Sequence, residues 1–374
     1  MRLDSDLPGC QLARPRQRKI HFFVMTDNAG RGLYFDQVQT LGPVVSNPPV
    51  CLYLETTNRC NLLCQHCPRT FASVERPADL SFDQMKAITD QVPNLRQAVL
   101  HGIGEPLINK DLPKMIRHLK DRDVYVLFNS NGTMLYDHIQ RQLLSSGLDE
   151  YRISLDAADA KTFEKVRGLP RFDLIVNNTR DFVALKKKLG MEHPKISLWL
   201  VGLRETLDQL PAFVRLAHDM EVGEVYLQRL VFFDDRQEGN GLARPDQGLF
   251  AAAGEEEIDL IAEAERLAHD LGITFRASGA ASPEESLMPR ETNQPWSLCR
   301  RPWTLMYITA NGNVLPCCVA PFSERDYDGI VLGNAFERPL MDIWNDYLYQ
   351  KFRTDLLGPT PPHACQNCGV RWSL

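Results

Sequence analysis

The sequence predicts an α/β protein: a TIM-like partial (βα)6 barrel with a parallel sheet, followed by a small α+β domain rich in cysteine. The barrel is predicted because apolar runs of strand length alternate with helical segments over residues 48–279. Such alternation is typical of parallel strands joined by right-handed helical crossovers. The smaller domain is predicted because five of the ten cysteines lie between residues 299 and 368.

The chain of 374 residues is long enough to bury one large and one small core. Residues 1–47 are predicted to form an N-terminal extension that includes a candidate hairpin. The barrel is assigned to residues 48–279, a linker to 280–298 and the cysteine-rich domain to 299–374. A long polar loop at 234–250 follows the sixth strand, and we interpret it as either a substrate lid or an insertion.

Composition excludes several classes of protein. The formal net charge is −6 and no basic stripe offsets it, which argues against a nucleic-acid partner. No apolar run approaches the length of a membrane span, and the first 20 residues lack the hydrophobic core of a signal peptide. Ten cysteines without an export signal favour metal ligands over disulfides. We therefore expect a protein of the reducing cytoplasm, with no membrane partner.

Each predicted element has a local signal. Apolar runs predict strands at 50–54, 97–100, 124–128, 151–155, 196–201 and 225–230, with a seventh edge strand at 273–277. Ser81 and Gln84 form a capping box that begins the first helix. Periodic apolar residues predict further helices at 110–120, 136–145, 172–189, 207–220, 255–271 and 340–356. The sheet is therefore expected to be parallel and curved around the carboxyl ends of its strands.

Three cysteines follow the first strand with the spacing Cys60-x3-Cys64-x2-Cys67. One short loop with three thiolates can bind an iron–sulfur cluster, and a 4Fe-4S cube then keeps one iron without a protein ligand. The loop lies where a barrel of parallel strands places its active site. The alternatives are a zinc knuckle or three core cysteines. Zinc sites favour paired Cys-x2-Cys units with four ligands in total.

This motif resembles the signature of the radical S-adenosylmethionine (SAM) superfamily, with His66 at the usually aromatic position before the third cysteine. The resemblance implies that the open iron binds the amino and carboxylate groups of SAM. An electron from the cluster then splits SAM into a 5′-deoxyadenosyl radical, which removes a hydrogen atom from the substrate. It also implies an electron donor of the flavodoxin or ferredoxin type.

The ends of the next strands support the same resemblance. Residues 102–106 (GIGEP) resemble the GGEP element that contacts the amino group of SAM, with Ile103 in place of the first glycine. We expect the glycines to let backbone groups approach the ligand closely. For Asp156 and Arg167, turn residues with a surface salt bridge are the alternative interpretation. The residues that the resemblance assigns to SAM binding are His66, Gly102, Gly104, Glu105, Pro106, Ser130, Asn131, Ser154, Asp156 and Arg167.

The C-terminal cysteines flank a predicted hairpin, in which Asn311-Gly312 separates apolar runs at 305–309 and 314–316. Their order resembles the twitch domain, the short form of the SPASM domain, and implies one auxiliary 4Fe-4S cluster. A four-cysteine zinc ribbon is the alternative. The spacing favours Cys317 over its neighbour Cys318 as a ligand but leaves the choice open. The implied ligands are Cys299, Cys317, Cys365 and Cys368.

The layout resembles twitch enzymes that act on sugars, aminocyclitols and nucleosides, such as the butirosin-pathway dehydrogenase of 2-deoxy-scyllo-inosamine. That resemblance implies a small-molecule substrate in antibiotic or other natural-product biosynthesis. The expected reaction is oxidation of an alcohol carbon, or a redox-neutral decarboxylation, dehydration or epimerisation. The alternatives are a peptide- or protein-modifying maturase and a non-catalytic zinc-binding interaction protein. Candidate catalytic residues at the barrel mouth are Glu55, His101, Tyr226, Gln228 and Arg229.

Overall fold

The structure is a computed structural model, which describes residues 41–71, 75–230, 245–249, 254–278, 283, 294–323, 327–366 and 368. The predicted N-terminal hairpin lies outside the described residues. So do Cys10, most of the 234–250 loop and most of the 280–298 linker.

One continuous sheet of ten strands forms the centre of the described residues, in the order β10-β9-β8-β1-β2-β3-β4-β5-β6-β7. Its strands are β1 Cys51–Leu54, β2 Gln97–Val99, β3 Tyr125–Ser130, β4 Glu150–Ser154, β5 Lys195–Val201, β6 Glu224–Gln228, β7 Thr274–Ala277, β8 Leu305–Ile308, β9 Asn313–Leu315 and β10 Gly333–Asn334. Strands β1 to β7 pair in parallel with their neighbours in chain order. This confirms the predicted barrel-like α/β fold.

Helices connect the parallel strands and cover the sheet. The α-helices of the described residues are α1 Pro68–Phe71, α2 Phe82–Thr89, α3 Leu112–Lys120, α4 Asp137–Ser146, α5 Ala160–Arg167, α6 Phe172–Lys188, α7 Leu210–Asp219, α8 Glu255–Asp270, α9 Arg301–Thr304, α10 Ala320–Ser323, α11 Leu340–Trp344, α12 Tyr347–Leu357 and α13 His363–Gln366. The predicted capping box begins α2, where the Ser81 hydroxyl accepts from the Gln84 N–H at 3.2 Å. None of these helices is long and apolar enough to cross a bilayer.

The hairpin after the barrel extends the same sheet. Strand β8 pairs in parallel with β1, so that Tyr307 lies beside Tyr53, and β9 folds back antiparallel to β8. Gly312 has φ +87°, as the tight turn of the predicted Asn-Gly hairpin requires. The edge of β1 is thereby covered, and the cysteine-rich segment lies against the barrel.

The single helix predicted at 340–356 is wrong, because α11 and α12 are separate. The side chain of Asn345 binds both backbone groups of Val45, at 2.9 Å each, and this tertiary contact interrupts the helix. Asp346 then caps α12. Ile343 and Trp344 of α11 are fully buried, whereas Tyr347 and Leu348 of α12 are 70% and 45% exposed.

Candidate active site

A cavity of about 340 Å³ opens at the carboxyl ends of the barrel strands. The residues that line it come from β1 to β6 and the segments that follow them, from the end of α5, from β8 and from the segment after β9. Among the predicted site residues, the cavity is lined by Cys60, Cys64, His66, Cys67, His101, Gly102, Gly104, Glu105, Ser130, Asn131, Ser154, Asp156, Arg167, Gln228 and Arg229. The folded barrel thus brings together nearly all of the residues that were predicted from strand ends.

The cysteine loop rests on the end of α5. The backbone N–H of Leu63 donates to the Arg167 carbonyl at 3.3 Å, and that of Gln65 donates to the Val166 carbonyl at 3.1 Å. Gly168 follows with φ +78°, and a Cβ there would lie 2.4 Å from the Leu63 carbonyl oxygen. The glycine therefore allows the loop to sit directly on the helix end.

The three cysteines of the loop are chemically suited to hold an iron–sulfur cluster. Burial raises the pKa of Cys60, and burial followed by the charge of Cys64 raises the pKa of Cys67 to about 12. The Asn131 amide and the Arg167 guanidinium point polar N–H groups at the sulfurs of Cys60 and Cys64, at 3.8 and 3.7 Å. Metal binding deprotonates such thiols, and donors beside the sulfurs are a normal feature of cluster sites.

The two glycines of the GIGEP segment are required by contacts within the protein. A Cβ on Gly104 would lie 2.1 Å from the carbonyl oxygen of Thr57, and one on Gly102 would lie 2.1 Å from the Glu55 carboxylate. The Glu105 N–H also donates to the Arg59 carbonyl at 2.8 Å. These glycines therefore allow the strand end to approach the cysteine loop and β1, whereas we expected them to allow approach to a ligand.

Glu105 joins the ends of two neighbouring strands. Its carboxylate is 2% exposed and accepts from the Leu107 N–H at 3.1 Å, the Ser130 hydroxyl at 2.8 Å and the Asn131 N–H at 2.6 Å. Burial raises its pKa, while these three donors act in the opposite direction. Pro106 begins a buried 3-10 turn and is not among the residues that line the cavity.

Asp156 and Arg167 form a buried ion pair in the cavity wall. Their closest atoms, Oδ2 and Nη2, are 2.5 Å apart, and both side chains are largely buried. The other carboxylate oxygen of Asp156 accepts from the Val201 N–H at 2.8 Å. The salt bridge of the alternative interpretation is therefore present but buried, and it connects the cysteine loop to β5. A contact of these two residues with SAM stays a prediction.

His101 faces the cavity as a neutral hydrogen-bond donor. Its Nδ1 accepts from the backbone N–H of Asn129 at 3.0 Å, so Nε2 carries the ring proton. Burial, and next the positive charge of Arg152, lowers the pKa of His101 to about 3. At neutral pH this side chain can donate a hydrogen bond from Nε2 to a substrate. Its other nitrogen, Nδ1, already accepts from Asn129.

Two candidate catalytic residues do not line the cavity. The Glu55 carboxylate accepts from Ile103 N–H and Tyr307 hydroxyl at 2.9 Å each, and from Ala310 N–H at 3.3 Å. It therefore joins β1 to the hairpin. Tyr226 lies on β6, two residues before Gln228, and stacks on Trp199 with ring centroids 4.0 Å apart.

Glu55 should make the stability of the protein depend on pH. Burial raises the pKa of Glu55 to about 7, above its ordinary value near 4.5. Between these values the folded chain keeps a proton that the unfolded chain releases, so stability falls as pH rises, by up to about 3 kcal/mol. The stability of the Glu55→Gln variant should lack this dependence on pH. Anaerobic thermal unfolding of the two proteins at pH 5 and pH 8.5 tests this prediction, and parallel pH profiles would contradict it.

Several residues of the cavity were not predicted from the sequence. Arg152 lies 4.7 Å from the ring centroid of Trp199 and is paired with Glu150 at 2.6 Å. Strand alternation could have identified Arg152, because it lies two residues before Ser154 on β4. The unpredicted residues with aromatic, polar or thiol groups are Tyr53, Asn129, Arg152, Trp199, Tyr307, Cys318 and Phe322.

A second, smaller cavity lies beside the hairpin and is lined by Cys299, Cys317, Cys365 and Cys368. Burial raises the pKa of Cys317 and of Cys365, and neighbouring cysteines add to the effect. The next residue, Cys318, lines the barrel cavity and contacts Tyr53 through a side-chain hydrogen bond. A turn after β9 therefore directs two adjacent thiols into different cavities, and four clustered thiols among apolar walls fit a cluster site.

Comparison with known proteins gives two family matches. The radical SAM superfamily matches residues 54–217, and SPASM, an iron–sulfur cluster-binding domain, matches residues 299–369. Mycofactocin maturase MftC of Mycolicibacterium smegmatis is 32% identical over 325 residues, which cover 86% of this chain and 76% of that protein. The PqqA peptide cyclase of Xanthomonas euvesicatoria pv. vesicatoria is 23% identical over 330 residues, which cover 87% of this chain and 82% of that protein.

Other relatives show the same breadth of coverage. A tungsten-containing aldehyde ferredoxin oxidoreductase cofactor-modifying protein of Pyrococcus furiosus is 24% identical, with 86% of this chain and 87% of that protein covered. The crystal structure of Streptococcus suis SuiB bound to S-adenosylmethionine has a TM-score of 0.62 at 18% identity, with 87% of this chain and 72% of that chain covered. At 18% identity, this similarity shows that the two proteins share a fold.

The chain belongs to the radical SAM superfamily and has a SPASM domain. It is an enzyme that uses SAM and two 4Fe-4S clusters. The alternative interpretation as a non-catalytic zinc-binding protein is therefore wrong.

Proposed function

We propose that this enzyme modifies a peptide or protein substrate. The observation that carries the proposal is its similarity, over most of both chains, to the PqqA peptide cyclase and to the maturase MftC. The expectation of a sugar, aminocyclitol or nucleoside substrate, and of alcohol oxidation on it, is contradicted by these relatives. The layout of the cysteines had suggested that expectation, but the layout does not specify a substrate.

The proposed cofactor sites divide the cysteines between the two cavities. We assign one cluster to Cys60, Cys64 and Cys67, with the open iron facing the barrel cavity. The auxiliary cluster is assigned to the other cavity and to four thiolates, which corresponds to the short, twitch form of the domain. Its proposed ligands are Cys299, Cys317, Cys365 and Cys368.

The strand ends around the barrel cavity are proposed to hold SAM. When bound, SAM and its cluster supply chemistry that removes a hydrogen atom from a carbon of the substrate. Glu105 keeps the strand end in place for the ammonium group of SAM, and the Asp156–Arg167 pair fixes the wall beside Cys64. His66, Ser130, Asn131 and Ser154 line the same region.

The remaining polar groups of the cavity are proposed to bind the substrate. His101 offers its Nε2–H, and Gln228 and Arg229 extend from the end of β6. Such donors suit the carbonyl groups of a peptide backbone. Tyr53 and Trp199 add aromatic surface for a side chain. The electron is proposed to come from a protein of the ferredoxin or flavodoxin class.

The proposal is tested by substrate-stimulated formation of 5′-deoxyadenosine. The anaerobically reconstituted enzyme, with SAM and dithionite, is incubated with synthetic peptides encoded by short reading frames beside its gene. Parallel reactions contain sugars, aminocyclitols or nucleosides. We expect a peptide to accelerate 5′-deoxyadenosine formation and to change in mass. Acceleration by a sugar, aminocyclitol or nucleoside, with none by any peptide, would contradict the proposal.

The two adjacent cysteines should behave differently on substitution. Cys317→Ala should lower the iron content and change the EPR spectrum of the reduced auxiliary cluster, because Cys317 lines the cavity with the other three proposed ligands. Cys318→Ala should keep about eight irons per chain, four for each cube. Iron analysis with EPR measures both variants. Loss of the cluster in the Cys318 variant alone would reverse the assignment.

Glu105→Gln should weaken SAM binding by about tenfold or more, because an amide cannot accept from all three donors and leaves a buried group unpaired. The iron content should stay unchanged, since Glu105 does not contact the cysteine sulfurs through its side chain. Equilibrium dialysis with labelled SAM gives the affinity. Glu164→Gln, on the exposed side of α5, is the matched control. Equal affinities for the Glu105 variant and the control would refute the assigned role.

A further inference from the structure

One charged residue lies among the walls of the auxiliary cavity. Apart from this residue and the four cysteines, the cavity is lined by apolar groups such as Trp296, Phe352 and Leu356. Among the described residues, Arg301 is the charged residue that lines this cavity. A cluster bound there would be surrounded by a medium of low polarity, where a fixed charge acts strongly.

The local backbone explains why Arg301 and not Arg300 faces the cavity. Arg300 folds back on its own turn, and its Nη1 donates to the carbonyls of Ser297 at 2.7 Å and Cys299 at 3.3 Å. Arg301 begins α9, two residues after Cys299. Its side chain is partly buried and lines the same cavity as Cys317.

Arg301 keeps its positive charge in this setting. A guanidinium group does not lose its proton in proteins, so the side chain is a fixed cation. The auxiliary cavity therefore has a fixed positive charge beside its four thiols.

We propose that Arg301 is the counter-charge of the auxiliary cluster and sets its reduction potential. A 4Fe-4S cluster with four thiolate ligands is anionic, and its reduced form carries one more negative charge. A fixed cation beside it stabilises the reduced form more than the oxidised form, which raises the potential. The inference rests on the proposed ligand set and is independent of the identity of the substrate.

The test is the midpoint potential of the auxiliary cluster, measured by an EPR-monitored redox titration. It uses the full chain with Cys60, Cys64 and Cys67 changed to Ala, so that the auxiliary cluster alone gives the signal. In this background Arg301→Gln should shift the potential to a more negative value. Arg301→Lys, which keeps the charge, should stay close to the parent. Arg300→Gln is the matched control and should shift the potential less.

Every outcome of the titration bears on the inference. A fully loaded Arg301→Gln protein with an unchanged potential would overturn it. If Arg301→Gln fails to load iron while Arg301→Lys loads, a cation is required at this position and the inference is supported. If both fail to load while Arg300→Gln loads, the position needs the shape of arginine, and the counter-charge role is refuted. A cluster that persists in Cys365→Ala with Cys368→Ala would instead refute the ligand set itself.

Discussion

An enzyme in which Cys60, Cys64 and Cys67 are all changed to Ala should retain about half of its iron and lose all SAM cleavage. We expect about eight irons per chain in the parent enzyme, four for each cube, and these three cysteines line the barrel cavity together. The auxiliary cavity does not include them, so its cluster should remain. Iron analysis and chromatography of 5′-deoxyadenosine measure the two effects.

The matched control is Cys51→Ala, because Cys51 is a buried residue of β1 whose role is packing. It should keep both the iron and the cleavage activity. A triple variant that still forms 5′-deoxyadenosine from SAM would show that the catalytic cluster lies elsewhere.

Gly104→Ala should lower the rate of SAM cleavage by on the order of a hundredfold, because a displacement of about 1 Å at a reacting centre has an effect of this size. The new Cβ would lie 2.1 Å from the carbonyl oxygen of Thr57 and 2.7 Å from that of Arg59. Both contacts are with backbone, so no side-chain rotation relieves them. The segment that leads to Cys60 must therefore move.

Gly223→Ala is the matched control for this substitution, since a Cβ at Gly223 has nothing within 4 Å. It should cleave SAM at the parent rate. Cleavage at the parent rate by the Gly104 variant would show that the close approach of the two loops is not needed for catalysis.

The barrel could be predicted from the sequence because buried parallel strands are local apolar runs. All seven predicted barrel strands lie within two residues of the observed bounds at either end. The pairing of β8 with β1 could not be predicted, because no residue of Leu305–Ile308 indicates which strand β8 will pair with. The break between α11 and α12 was missed for a similar reason, since it depends on the contact of Asn345 with a segment 300 residues away.

In the candidate site, too, local motifs could be predicted from the sequence, whereas positions that depend on the folded sheet could not. Residues that belong to short motifs, such as the cysteine loop and the GIGEP segment, could be found from spacing alone, and the structure brings them to one cavity. Glu55 and Tyr226 are predicted to lie at the barrel mouth, but the direction of a side chain depends on how the whole sheet curves. Trp199 and Cys318 also line the cavity, but neither belongs to a motif that predicts this position.

The substrate class was predicted wrongly for a physical reason. The motifs describe how SAM and the clusters are held, and these parts are shared by enzymes that act on different substrates. The residues that are proposed to bind the substrate, such as His101 and Gln228, come from separate strands and form no sequence pattern. Similarity over most of the chain therefore carries information on the substrate that the motifs lack.

The proposed function requires that a carbon of a peptide donates a hydrogen atom in this active site. The most direct measurement uses synthetic candidate peptides with deuterium at carbon, incubated anaerobically with the enzyme, SAM and dithionite. Mass spectrometry then follows deuterium in 5′-deoxyadenosine and the mass of the peptide. We predict that deuterium appears in 5′-deoxyadenosine together with a mass change in the same peptide. Transfer from a carbon-deuterated sugar or nucleoside, while every peptide stays unchanged and donates no deuterium, would contradict the claim.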